Sequence, residues 1–118
     1  MGYIASTFSP LMLGKNVSAR IREISLTDAV NAVTEETISV VSHAVTASML
    51  SAVVGRTVAF NRANVTLRAG DRVTVFCVNF RADVAREFTA EEVASAGIRC
   101  FRVECVGFST YVNIICYE

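Results

Sequence analysis

Apolar residues in the first part of the chain recur with the spacing of strands and of a short helix. The pattern predicts a buried strand over residues 2–7 and a second, more polar strand over residues 17–24. Ser25 and Asp28 have the spacing of a helix-capping pair, and the apolar residues after them recur at intervals of three and four. A short helix is therefore predicted to start at Ser25.

The most apolar stretch of the chain, residues 44–54, follows a short β-branched run at residues 37–41. Its composition and its end at Gly55 predict a buried helix preceded by a short strand. Ser42 is the expected N-cap of this helix, which would place His43 at the first helical position. Backbone N–H groups and the positive end of the helix dipole point outward at that position.

Two β-branched segments, residues 58–67 and 72–80, flank the sequence Arg-Ala-Gly-Asp at 68–71. This arrangement predicts two strands joined by a turn. The second segment is apolar on both of its faces, which is typical of a central strand covered on both sides.

The remaining pattern predicts a polar loop over residues 81–88 and a helix that begins with a capping box at residues 89–92 and ends at Gly97. Strands are predicted over residues 98–108 and 111–117. Strands interspersed with helices in this order predict an α/β fold, in which helices pack on a single mixed β-sheet of five or six strands.

The length and composition of the chain indicate its organisation. A chain of 118 residues has the size of one domain, so residues 1–118 are interpreted as a single domain. Hydrophobic residues make up 53% of the chain and charged residues only 19%. This apolar content is high for so small a domain and favours burial against a second copy, so we predict a homodimer.

Eleven lysines and arginines balance eleven aspartates and glutamates. Proteins that bind DNA or long RNA without specificity depend on many phosphate contacts, so a neutral chain argues against DNA as a partner. A small anionic ligand is still compatible with this balance, because a few well-placed cations and a helix N-terminus suffice to bind it.

The cysteine and histidine content predicts neither a metal site nor a cofactor. No two cysteines have CxxC spacing, and the chain has one histidine. The apolar start lacks a basic region and meets Lys15 too early for a signal peptide or a membrane span, which favours a cytoplasmic protein. The cysteines are accordingly expected to be reduced core residues, and they are Cys77, Cys100, Cys105 and Cys116.

A few positions could carry chemistry. His43, at a helix N-terminus, could bind phosphate and exchange a proton near neutral pH. Arg81 would emerge at the carboxyl end of a strand, where α/β sheets place ligands. Arg62 could also contact a ligand, and Ser9, beside Phe8 in the loop after the first strand, could donate a hydrogen bond to phosphate or ribose. At each position the alternative is an ordinary structural or solvated side chain.

Three segments together resemble the viral ring nucleases, anti-CRISPR proteins of archaeal and bacterial viruses that also occur in some cellular genomes. They are residues 3–9 (YIASTFS) with residues 12–13, the block from residue 43 to residue 62, and the block from residue 81 to residue 93. The spacing of the residues carries the resemblance more than their identity does.

The resemblance implies roles for individual residues. The catalytic histidine of the family corresponds to His43 and the catalytic arginine to Arg81. Residues near the ligand correspond to Phe8, Ser9 and Arg62.

One position departs from the family pattern. The ring nucleases have a functional glutamate three residues beyond the catalytic arginine, and this chain has Val84 there. Asp83 and Glu87 lie in the same loop and are candidate substitutes for that acid.

The resemblance further implies a homodimer that holds one cyclic tetra-adenylate ring across its two-fold axis. Cleavage without a metal would give linear oligoadenylates with 2′,3′-cyclic phosphate ends and would antagonise type III CRISPR signalling. The main alternative is a sponge that sequesters the ring without cutting it. A structural or host-interaction protein with the same fold is a third possibility.

Overall fold

The computed structural model describes residues 1–62, 64–78 and 89–107, which form a five-stranded mixed sheet with helices. The strand order is β2-β5-β4-β1-β3. The strands are β1 (Gly2–Ala5), β2 (Val17–Ile24), β3 (Ile38–Ser39), β4 (Arg72–Val78) and β5 (Ile98–Gly107). The helices are α1 (Leu26–Ala32), α2 (Ala44–Val54) and α3 (Ala90–Ala96), with a short 3₁₀ helix at Pro10–Met12.

Strand direction determines which loops share an edge of the sheet. β1 is parallel to both β3 and β4, whereas β5 is antiparallel to both β4 and β2. The carboxyl ends of β1, β3 and β4 therefore lie at one edge, and the loops that follow them start there. We call this edge the carboxyl edge.

The two faces of the sheet bury separate clusters of apolar side chains. On one face Ile4, Phe76 and Cys100 pack against residues of the helices, including Ala29 and Leu50. The opposite face buries another cluster, whose members are Ala5, Leu67, Val73, Val75, Val103 and Cys105. β4 contributes to both clusters, which confirms its interpretation as a central strand covered on both sides.

The predicted α/β class and single mixed sheet are confirmed, and local signals located the helices well. Ser25 caps α1, with its hydroxyl accepting from the Asp28 amide at 3.1 Å. Thr89 and Glu92 form the expected capping box at the start of α3. Gly55 ends α2 in the left-handed conformation, with φ of 79°, a conformation that glycine adopts without steric cost.

The strand predicted over residues 58–67 is wrong. In the described part of that segment, regular pairing is replaced by isolated bridges from Phe60 to Val41 and from Leu67 to Leu13. Val58 is buried with the helix-side cluster and Leu67 with the other cluster. Val58 and Leu67 thus cover two separate parts of the core, so the segment cannot follow one neighbouring strand throughout.

The turn at residues 68–71 is present, although it does not join two paired strands. The Asp71 amide donates to the Arg68 carbonyl at 3.0 Å, and the Asp71 carboxylate accepts from the Arg68 amide at 2.9 Å. Gly70 lies between them with φ of 94°. β4 then pairs with β1 and β5 instead of with the preceding segment.

The cysteine prediction is confirmed for two residues and wrong for a third. Cys100 and Cys105 are buried free thiols, whereas Cys77 is free but exposed. Burial raises the pKa of the Cys100 thiol to about 11, with a further contribution from Cys77. Cys116 and the strand predicted over residues 111–117 lie outside the described residues.

Candidate functional site

Several of the predicted site residues follow strands that end at the carboxyl edge. Phe8 and Ser9 come shortly after β1, and His43 comes shortly after β3. β4 ends at Val78 on the same edge. Open α/β sheets place ligands outside the carboxyl ends of their strands. This edge is therefore the candidate site.

His43, and not Ser42, is the N-cap of α2. Its backbone is extended, with φ of −124° and ψ of 127°, and its carbonyl accepts from the Ala47 amide at 2.9 Å. An N-cap carbonyl accepts the first hydrogen bond of a helix, so the helix begins one residue later than predicted. The His43 side chain is exposed and makes no capping hydrogen bond. The imidazole is therefore accessible beside the positive end of α2.

The segment around Arg62 pairs with the residues that follow β3. Val41 and Phe60 form a parallel bridge, and the Asn61 amide donates to the Val41 carbonyl at 2.8 Å. Two residues beyond the bridge, the segment after β3 reaches His43 and the segment that contains Phe60 reaches Arg62. The parallel pairing thus carries both backbones toward the carboxyl edge, where the two residues predicted separately from the sequence, His43 and Arg62, follow the bridge.

Side-chain hydrogen bonds hold this segment in place. The Asn61 Nδ2 donates to the Ser39 carbonyl at 2.8 Å, and the Ser39 hydroxyl donates to the Ala59 carbonyl at 2.5 Å. The Ser51 hydroxyl, on α2, accepts from the Val58 amide at 2.8 Å. The position of Arg62 is therefore supported both by β3 and by α2.

Phe60 is a candidate site residue that the sequence did not indicate. The Arg62 guanidinium lies over its ring, with 5.4 Å between the guanidinium carbon and the ring centroid. The Phe60 side chain is 48% exposed. A partly exposed aromatic ring beneath an arginine offers both a stacking surface and a cation. The sequence signal was the pair of residues Phe60 and Arg62, whose spacing puts them on one side of an extended segment.

Ser9 and Phe8 have structural contacts in this loop. The Ser9 hydroxyl accepts from the Leu11 amide at 3.2 Å and caps the short 3₁₀ helix. Its proton remains available to a ligand, because the hydroxyl acts as the acceptor in that bond. Phe8 is half-buried and packs against the cluster that contains Leu67.

The remaining predicted residues, Arg81, Asp83, Val84 and Glu87, lie outside the described residues. Within the described ranges, no group of three histidine, cysteine, aspartate or glutamate side chains is placed to hold a metal ion. No described helix is long and apolar enough to cross a membrane.

Comparison with known proteins identifies the family. No curated protein matches the chain. The structure of B116 from Sulfolobus turreted icosahedral virus (STIV) is similar, with a TM-score of 0.75 and 17% sequence identity over 87% of this chain and 97% of B116. At that identity the likeness shows a shared fold. A family model described as STIV B116-like matches residues 3–100, and the chain therefore belongs to the STIV B116-like family.

Proposed function

We propose that the chain is a metal-independent ring nuclease that binds cyclic tetra-adenylate as a homodimer and cleaves it. The observation that carries the proposal is the parallel bridge between Val41 and Phe60, after which one segment continues to His43 at the start of α2 and the other to Arg62. A proton donor, a cation and helix amides at one accessible edge suit a phosphodiester substrate. The resemblance to the ring nucleases supplies the identity of that substrate.

The reaction needs an attacking group, a proton donor and a cation. A ribose 2′-oxygen of the ring attacks the adjacent phosphorus in line and loses its proton to solvent. The bond from phosphorus to the 5′-oxygen breaks, and the His43 imidazolium protonates that leaving oxygen. Arg81 stabilises the additional negative charge on the phosphorane oxygens. The products are linear oligoadenylates with 2′,3′-cyclic phosphate ends.

Arg62 and Phe60 have binding roles in this proposal. The guanidinium lies over the ring, and a contact that restricts it there would reduce the conformational entropy lost when it binds a phosphate. The exposed part of the Phe60 ring provides a surface for an adenine base.

A second copy of the chain would complete the site. Cyclic tetra-adenylate has repeated phosphates and ribose groups around a ring, so a two-fold axis presents the same residues to opposite sides of it. Leu11 in the loop after β1 is 95% exposed, and Phe60 at the same edge is also exposed. Contact with a partner or with the bound ring would remove these apolar side chains from water.

A sponge that binds the ring without cutting it is the second candidate. The observation that favours it is Val84, which stands where the ring nucleases have a functional glutamate. Binding would need His43, Arg62 and Arg81 but would not need the missing acid.

Thermal unfolding with cyclic and with linear tetra-adenylate tests the binding step shared by both candidates. A ligand that binds only the folded dimer raises the Tm in proportion to the logarithm of its excess over Kd. Cyclic tetra-adenylate should give the larger shift, and light scattering should report a dimer. Equal shifts from both compounds, or none from either, would instead favour a structural or host-interaction protein.

A further inference from the structure

A group of basic residues lies on the helix-bearing face of the sheet, away from His43. Its four arginines are Arg20 and Arg22 on β2, Arg72 on β4 and Arg102 on β5. The strand register places them on one face together with Phe76 and Cys100, whose side chains lie beneath the helices. We call these four residues the arginine group.

Two arginines of the group oppose each other directly. Arg22 pairs with Arg102 across the antiparallel β2–β5 ladder, and Glu104 stands between Arg20 on β2 and Arg72 on β4. Like charges that face each other across a pair of strands destabilise a sheet. Glu104 stands opposite two of the arginines in the register, whereas Arg22 and Arg102 face each other across the β2–β5 ladder.

The ion pairs of the described residues do not relieve this repulsion. They join the N-terminus to Asp71 and Arg99 to Glu23. In the described part of the chain, none of the four arginines of the group has a carboxylate within 4.0 Å. A local arrangement that costs stability without an internal partner is characteristic of binding sites.

Two cavities are lined by the arginine group. Arg72 and Arg102 line a cavity of about 560 Å³, whose wall also includes Thr34 and Glu36 beyond α1. Arg20, Arg22 and Arg102 line a second cavity of about 180 Å³. Arg102 lines both cavities, so it is common to the two.

Thr74 provides a buried polar group in the larger cavity. It is 7% exposed and lies beside Arg102 in the β4–β5 register. A threonine hydroxyl can both donate and accept a hydrogen bond, so Thr74 adds a polar group to the wall of this cavity.

We propose that the arginine group binds a small polyphosphate, either free or as part of a nucleoside polyphosphate. Guanidinium groups match phosphate oxygens in charge and in geometry, and a bound polyphosphate would replace the repulsion between Arg22 and Arg102 with attraction to both. A cavity of about 560 Å³ lies within the size range of small-molecule sites. The zero net charge of the chain favours such a ligand over a long nucleic acid.

The site is separate from the one proposed for cyclic tetra-adenylate. The arginine group includes Arg72, at the amino end of β4, whereas His43 follows the carboxyl end of β3. The glutamates that line the two cavities, Glu36 and Glu104, can accept hydrogen bonds from ribose hydroxyls or a base amino group. A nucleoside polyphosphate should therefore bind more tightly than a bare polyphosphate.

Isothermal titration calorimetry with tripolyphosphate and with ATP, at constant ionic strength, tests the proposal. Wild type should bind both compounds, and ATP more tightly than tripolyphosphate. Arg102→Gln should weaken binding of both by about ten- to a hundredfold, as expected when a charge-assisted hydrogen bond is lost. The Tm of the unliganded variant should stay the same or rise, because the repulsion with Arg22 is removed.

Arg99→Gln is the matched control, because Arg99 lies on the same strand but on the opposite face. It should bind tripolyphosphate as wild type does. Equal weakening by Arg99→Gln and Arg102→Gln, or no binding by wild type at millimolar tripolyphosphate, would overturn the proposal. The shift in Tm caused by cyclic tetra-adenylate should be unchanged in Arg102→Gln, so failure of this site is distinguishable from failure of the proposed nuclease function.

Discussion

The Asn61 amide donates to the Val41 carbonyl at 2.8 Å, and this backbone bond aligns two segments that are far apart in the sequence. One segment continues to His43 and the start of α2, and the other continues to Arg62. The Asn61 side chain strengthens the pairing through its bond to the Ser39 carbonyl. The alignment of the two segments therefore depends in part on the two hydrogen bonds made by Asn61.

Replacement of Asn61 tests this dependence. Asn61→Ala should lower the free energy of unfolding by about 1 kcal/mol, because a side-chain hydrogen bond is lost. It should also raise the Kd for cyclic tetra-adenylate several-fold, since the segment that carries Arg62 would be held less firmly. Urea unfolding and calorimetry measure the two effects. Asn31→Ala, at an exposed position on α1, is the control, and an unchanged Kd in Asn61→Ala would contradict the assigned role.

His43 should show a conflict between stability and activity. The side chain makes no capping bond, whereas serine is among the preferred N-cap residues. We therefore expect His43→Ser to raise the Tm by a few degrees and His43→Ala to leave it nearly unchanged. Both variants should cleave cyclic tetra-adenylate about 10²- to 10⁴-fold more slowly, as expected when a general acid is lost. Cleavage at the wild-type rate by His43→Ala would remove His43 from the mechanism.

The local signals of the sequence were sufficient for much of the fold. Capping pairs located α1 and α3, and the two-sided apolar run of β4 identified the central strand. The segment 58–67 was wrongly predicted as a strand because β-branched residues fit any half-buried extended segment, whether or not it pairs. Its residues Val58 and Leu67 are buried in different clusters, which is a tertiary property.

The site was predicted less completely than the fold. The sequence indicated His43 and Arg62 as separate candidates, but it contains no local sign of the bridge between Val41 and Phe60. The role of Phe60 depends on that bridge and on the guanidinium above the ring. Long-range pairing of this kind cannot be obtained from periodicity, which reports only on neighbours along the chain.

The buried thiol of Cys100 should make the stability of the protein fall at alkaline pH. Burial raises the pKa of its thiol to about 11, above that of an unfolded cysteine, so the folded state holds the proton more tightly. The protonated thiol therefore adds to the free energy of unfolding below about pH 9, and this addition is lost as the pH rises toward 11. Urea unfolding should show that the free energy of unfolding falls by about 2 kcal/mol between pH 8 and pH 10.5 because of this thiol.

Two cysteine variants separate this effect from general alkaline unfolding. Cys100→Ala should make the decrease in unfolding free energy with pH smaller, whereas Cys77→Ala should leave most of it in place, because Cys77 is exposed. The buried Cys105, whose pKa is also raised by burial, should account for part of the remaining decrease. The same pH dependence in wild type and in Cys100→Ala would contradict the assignment.

Val84 should limit the rate of cleavage. The ring nucleases that this chain resembles have a glutamate at the corresponding position, so Val84→Glu should increase turnover of cyclic tetra-adenylate. Single-turnover kinetics measure the change, and Val84→Gln, which has a similar shape without the charge, is the control. A Val84→Glu variant that is no faster than wild type would contradict this role of Val84. The reaction would then use a different acid, such as Asp83 or Glu87, or no acid.

Incubation of the purified wild-type protein with cyclic tetra-adenylate in the presence of EDTA tests the central claim most directly. Chromatography and mass spectrometry should identify linear oligoadenylates with 2′,3′-cyclic phosphate ends, and EDTA should not slow their formation. His43→Ala should bind the ring but form these products far more slowly. A wild-type protein that binds the ring tightly and leaves it intact over many hours would contradict the nuclease assignment and establish sequestration as the function.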